Sequence, residues 1–119
     1  MKNYMAVYTG SVQSRQASAW DELDEATRKQ REAAGMKAWG DWMATHKDSV
    51  VGMGGPLGKT KRVGPEGVSD VRNNLAGYII VRAESHEAAA QLFIGHPHFA
   101  IFPGEAVEIM ECLPIPGAG

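Results

Sequence analysis

The chain has one cysteine, Cys112, in 119 residues, which excludes a disulfide framework. It contains no apolar run near the roughly 18 residues that a membrane-spanning helix requires. Met1-Lys2-Asn3-Tyr4 opens no pattern of a basic segment, an apolar stretch and a small-residue cleavage site. A cytoplasmic protein without a membrane partner is therefore expected. Lysine and arginine are missing after residue 83: all 12 lie before it beside nine acidic residues, and residues 84–119 carry five glutamates alone. The basic residues that exist are spread thinly, Lys59-Thr60-Lys61-Arg62 being the densest group, and no aromatic platform or recognition motif accompanies them. A nucleic-acid partner is not expected.

What is present suffices for a core. Hydrophobic residues make up 44% of a 12.8 kDa chain with net charge −2, a composition that fits one domain over residues 1–119. Surface scaling gives about 6,300 Å² for a folded monomer of this mass and roughly 18,500 Å² for the extended chain. Two thirds of the surface can be buried, but one subunit has little room to enclose a deep pocket, so a ligand site is expected as a cleft at a sheet or subunit edge. Cys112 lies among Met110, Leu113 and Ile115 and reads as a small buried hydrophobe, not a nucleophile.

Tyr4 to Thr9 is a short apolar run closed by Gly10, and reads as a strand. After a polar stretch over 13–18, a helix is expected from about Ser18, where Trp20, Leu23, Ala26, Gln30 and Ala33 or Ala34 recur at helical spacing, and Gly35 is expected to end or bend it. Met36, Trp39, Met43, His46 and Val50 continue a stripe that places Trp39 and Trp42 as core or interface anchors. A second strand begins at Val50, with Leu57 to Val63 as an added extended arm, a Gly64-Pro65-Glu66-Gly67 turn, and a polar loop from Val68 to Asn74. Tyr78-Ile79-Ile80-Val81 marks the strongest strand. Ser85 caps a short helix carrying Ala89, Leu92 and Phe93 on its packing face, which Gly95 and Pro97 stop, and Ala106 to Cys112 is the last strand. The order β-α-β-β-α-β folds as a four-stranded antiparallel sheet with both helices on one face, the ferredoxin-like α+β solution. Its other face is left to be covered, which predicts a homodimer.

Gly58-Lys59-Thr60 has the ending of a phosphate loop, but Met53 stands where the first glycine belongs and Pro56 removes an amide donor. The glycines of 52–58 instead allow close approach to a strand or a small ligand, which makes Gly54 and Gly55 candidate ligand-binding positions. His96-Pro97-His98 lies beyond a helix end, where an imidazole can move a proton near neutral pH, and Asp70 in the preceding polar loop could orient it. His96, His98 and Asp70 are the candidate catalytic residues, and His46 and Asn73 complete the candidate ligand-binding set. No metal site follows, because the further ligands would have to converge from distant segments, and no cofactor is implied.

Gly54-Gly55-Pro56-Leu57, Gly77-Tyr78-Ile79-Ile80-Val81, Glu84-Ser85-His86-Glu87-Ala88-Ala89, His96-Pro97 and Ala106-Val107-Glu108-Ile109 together resemble the YCII-related domain family over most of the chain. That resemblance implies a dimeric α/β barrel assembly of ferredoxin-like domains, mostly of unassigned activity. It also implies a histidine–aspartate dyad in some members and a dehydrochlorinase among the few enzymes. Where the family often has Asp-Pro after the second helix, this chain has His96-Pro97. Where some members have Asp-Gly-Pro-Phe before the strong strand, it offers only Asp70. The expectation is a homodimeric small-molecule-binding or regulatory domain. The alternative is a lyase- or isomerase-like enzyme using histidine proton transfer on a small polar or aromatic substrate.

Overall fold

A computed structural model describes residues 1–117 of the chain. Its elements are β1 (Lys2–Thr9), α1 (Val12–Ala17), α2 (Glu25–Thr45), β2 (Val50–Pro56), β3 (Thr60–Gly64), β4 (Gly67–Val71), β5 (Leu75–Ala83), α3 (His86–Gln91), α4 (Pro97–Ala100) and β6 (Ala106–Glu111). The main sheet has the order β2-β5-β1-β6 with every neighbouring pair antiparallel, and β3 pairs with β4 in a separate two-stranded sheet. With β3 and β4 set aside as an insertion, this is the ferredoxin-like β-α-β-β-α-β topology.

Strand alternation decides which residues meet the helices. Tyr4, Ala6 and Tyr8 of β1 and Ile79, Val81 and Ala83 of β5 face one way, and they join Trp42 of α2, Ala89 of α3 and Phe93 just beyond it in the core. Full burial of Ile79 and Val81 stabilises by about 1.5–3 kcal/mol each. Trp42 also ties α2 to the end of α3, its indole Nε1–H donating to the Leu92 carbonyl at 2.9 Å. Met5, Val7, Tyr78, Ile80 and Met110 alternate with the core set and occupy the opposite face of the sheet.

Several local expectations are corrected. The polar stretch after Gly10 is the helix α1, opened by reciprocal hydrogen bonds between Ser11 and Ser14 that satisfy its first amides. The helix expected from Ser18 starts at Glu25, capped by Asp24 through the Thr27 amide, and Trp20 is buried in a 3-10 turn before it. Gly35 neither ends nor bends α2, which continues to Thr45. The glycine is there for space: a Cβ at this position would run into the Phe102 ring. Val68 to Val71 is not loop but half of a hairpin, in register as Lys61↔Asp70 and Val63↔Val68. Pro97 stops nothing; it is the first residue of α4, a position that suits its missing amide hydrogen. Cys112 is exposed, not buried. No helix among the described residues is long and apolar enough to cross a membrane.

Candidate functional site

Between α2 and the end of the sheet where β2 and β5 run into the hairpin lies a cleft of about 610 Å³. This is within the range of small-molecule sites. Met36, Trp39 and Met43 of α2 form one wall, and Met53 to Pro56 with Gly77 to Ile79 form the other. Tyr8, His98 and Phe102 line it as well. The lining is almost wholly apolar, and the methionines supply adaptable, polarisable surface. Gly54 is needed for the second wall. It sits at φ +59°, and a Cβ there would collide with the Tyr78 carbonyl, so only glycine lets β2 lie this close to β5.

The histidines reach this place through α4. His96 is the N-cap of that helix: its Nδ1 accepts from the His98 amide at 3.0 Å, which requires the proton of the neutral ring to be on Nε2. His98 Nε2 lies 2.7 Å from the Thr9 carbonyl, an acceptor only, so Nε2 donates and Nδ1 keeps the lone pair. Both rings are buried in an aromatic box. Tyr8 stands 5.2 Å from each, and Trp39 meets His96 edge to face at 4.6 Å. The Tyr8 hydroxyl and His96 Nε2 are buried with no partner among the described residues.

Burial keeps the whole group uncharged near neutral pH. It pushes the His96 imidazole down to about 4, helped by the neighbouring His98 and His46, and it lifts the Tyr8 phenol to about 12. His98 is lowered too, burial outweighing the hydrogen bond to Thr9 that favours its charged form. An imidazolium stabilised by a helix end is therefore not what the fold builds. It builds a neutral ring with one free lone pair.

His98, Gly54 and Gly55 line one cleft, and His96 lies directly behind it. His46 stacks on Trp42 at 4.8 Å and touches the group through that indole and through its effect on His96. Asp70 and Asn73 are elsewhere. Asp70 pairs with Lys61 at 2.7 Å on the exposed hairpin, and Asn73 donates to Thr60 and accepts from the Leu75 amide. Both line a separate shallow basin that shares no residue with the cleft, so the expected pairing of Asp70 with a histidine does not form. Tyr8 and Trp39 also line the cleft, and sequence reasoning read them only as strand and as core or interface anchor. The available signal was a phenol at the last core-facing position of a strand, opposite Gly77. Among the described residues no group of three histidine, cysteine or acidic side chains is gathered to hold a metal ion.

No family model matches the chain, and no curated protein matches it. Among solved structures, one of 5-chloro-2-hydroxyhydroquinone dehydrochlorinase from Burkholderia phenoliruptrix AC1100, in complex with 2,5-dihydroxybenzoquinone, is similar over 91% of this chain and 90% of that one. The identity is 16% and the TM-score 0.49. The activity and the ligand in that description belong to that protein.

Proposed function

We propose that the chain is a homodimeric binding domain for a small, uncharged, flat molecule, an aromatic ring with one polar hydrogen, held between α2 and the β2–β5 end of the sheet. The observation that carries this reading is the apolar cleft, which among the described residues is lined by no aspartate, glutamate, lysine or arginine and in which burial holds Tyr8 and His98 toward their neutral forms. A charged ligand would lose its hydration there without gaining a counter-charge. An aromatic one gains contact with Trp39, Phe102 and the methionines, and its hydroxyl can donate to a lone pair on His98. The homodimer is supported by the second sheet face, which carries Met5, Val7, Tyr78, Ile80 and the exposed Met110 on the side opposite the helix-packed core set.

The test is a thermal-shift series at pH 7.5 with 2-naphthol, benzoate and cyclohexylamine, which differ in charge. Saturable stabilisation by 2-naphthol alone is expected, growing with ligand concentration as site-specific binding requires. No saturable shift, or preference for either ion, overturns the reading.

One observation favours a second reading, proton transfer. His98 lines the cleft and has a tautomer fixed by Thr9 that leaves the lone pair on Nδ1, which is how a general base is held. Should turnover of a hydroxyl-bearing aromatic be found, His98→Ala is expected to remove it while His96→Ala weakens it through loss of the amide contact. The acid limb of the rate profile is expected below pH 6.5, the direction in which burial moves His98. Equal turnover by both variants would remove the histidines as essential groups.

A further inference from the structure

Residues 57–74 leave the sheet at Pro56 and return at Leu75, and among the described residues the hairpin they form is clothed by nothing but itself. Its tip is a cross-strand apolar pair, Val63 opposite Val68, exposed to 77% and 67%. A two-stranded hairpin alone is marginal in water, so one that presents valines to solvent implies a surface to lie on. The molecule carries the mark of this. Its Cα radius of gyration is 16.5 Å, against about 13.5 Å for a compact chain of 119 residues. Its accessible surface is 8326 Å², against about 6,300 Å² for a folded monomer of this mass. The excess, about 2,000 Å², is more than the roughly 800 Å² that each partner contributes to a standard interface.

We infer that the β3–β4 hairpin is an arm that docks on the open sheet face of a second copy of this chain, its Val63–Val68 pair resting on the Met5–Met110 pair there. The inference rests on the homodimer reading above and says which surfaces make the dimer. Two complementarities select this occupant. The receiving pair is apolar, Met5 and Met110 being register partners on the uncovered face, with Met110 exposed to 44%. The charges are opposite as well. Residues 57–74 hold four basic and two acidic side chains, and since Lys61 is paired with Asp70 on the valine face, the arm's excess positive charge lies in Lys59, Arg62 and Arg72. On the receiving strand, exposed Glu108 lies on the same face as Met110, in a segment from 84 onward with no lysine or arginine. Each copy has one arm and one receiving face, so a two-fold exchange satisfies both at once.

Light scattering of the purified chain at micromolar concentration tests this. The wild type is expected at twice 12.8 kDa. Val63→Asp with Val68→Asp, at positions already in solvent, is expected to keep the circular dichroism spectrum and raise the dimer dissociation constant by about thirtyfold or more, the loss expected for an apolar anchor. Met110→Asp is expected to do the same from the other surface. Val12→Asp, equally exposed in α1, should leave the dimer intact. A monomeric wild type overturns the dimer reading and this inference together. A dimer that survives the paired valine change, or that Val12→Asp also breaks, overturns the arm and leaves the dimer.

Discussion

His96 concentrates the chemistry of the site in one residue. Its side chain is fully buried, its Nδ1 holds the start of α4, and its Nε2 has no partner among the described residues. The folded ring titrates near 4 and an unfolded one near 6.5, so both are neutral above pH 6.5. As pH falls through 6.5 the unfolded chain takes up a proton first, and stability is lost until the folded ring also protonates near 4. That window is expected to cost about 3 kcal/mol, with His98 adding in the same direction. Asparagine at 96 can keep an acceptor for the His98 amide and serves well as an N-cap, yet does not titrate. Urea unfolding of His96→Asn between pH 7 and 4 should therefore show a much flatter stability profile than the wild type. Equal slopes would mean that His96 is not the group responsible. The His-Pro-His motif was visible in the sequence as a candidate, but its electrostatics were not. Whether an imidazole is charged at a helix end or neutral in a core depends on the Tyr8, Trp39 and Trp42 rings around it, which come from other segments. Asp70 fails as its partner for the same reason: proximity in a functional reading is not proximity in space, and Lys61 across the hairpin claims it.

At the scale of elements, apolar blocks were enough to place the four sheet strands and the two main helical regions, because each has a face that must be buried. Elements without a buried face were harder to read. The α1 helix buries no residue and stands on its Ser11–Ser14 cap, and β4 shows only local pairing with β3. Gly35 illustrates the opposite error. A glycine inside a helical pattern suggests an end, but its reason lies 67 residues away in Phe102. Two glycines of α2 make the point testable. In Gly35→Ala the methyl must displace the Phe102 ring, an overpacking of about 1–3 kcal/mol that outweighs the roughly 1 kcal/mol gained in helix propensity. In Gly40→Ala the methyl meets nothing within 4 Å, and only the propensity gain of up to about 1 kcal/mol remains. Thermal unfolding should move in opposite directions for the two. Destabilisation of similar size by both would argue that α2 does not pack against Phe102 as described.

At the scale of the molecule, a ligand site is expected at an edge, because a chain this short spends its interior on one core. The cleft lies there, where the sheet, α2 and the root of the hairpin meet. Its emptiness of charge was not legible, since it follows from which side chains the fold brings around Tyr8 and His98. Nor was the extent of the arm, since a polar loop and a hairpin strand differ in pairing partners more than in composition. The neutral cleft is the central claim, and calorimetric titration of 2-naphthol at pH 7.5 into the wild type and into Gly40→Trp, which places an indole in the cleft, tests it most directly. The expected result is one saturable site per chain in the wild type and none in the variant, with the variant's fold confirmed by circular dichroism. Heat without saturation, or equal binding by the filled variant, would contradict it.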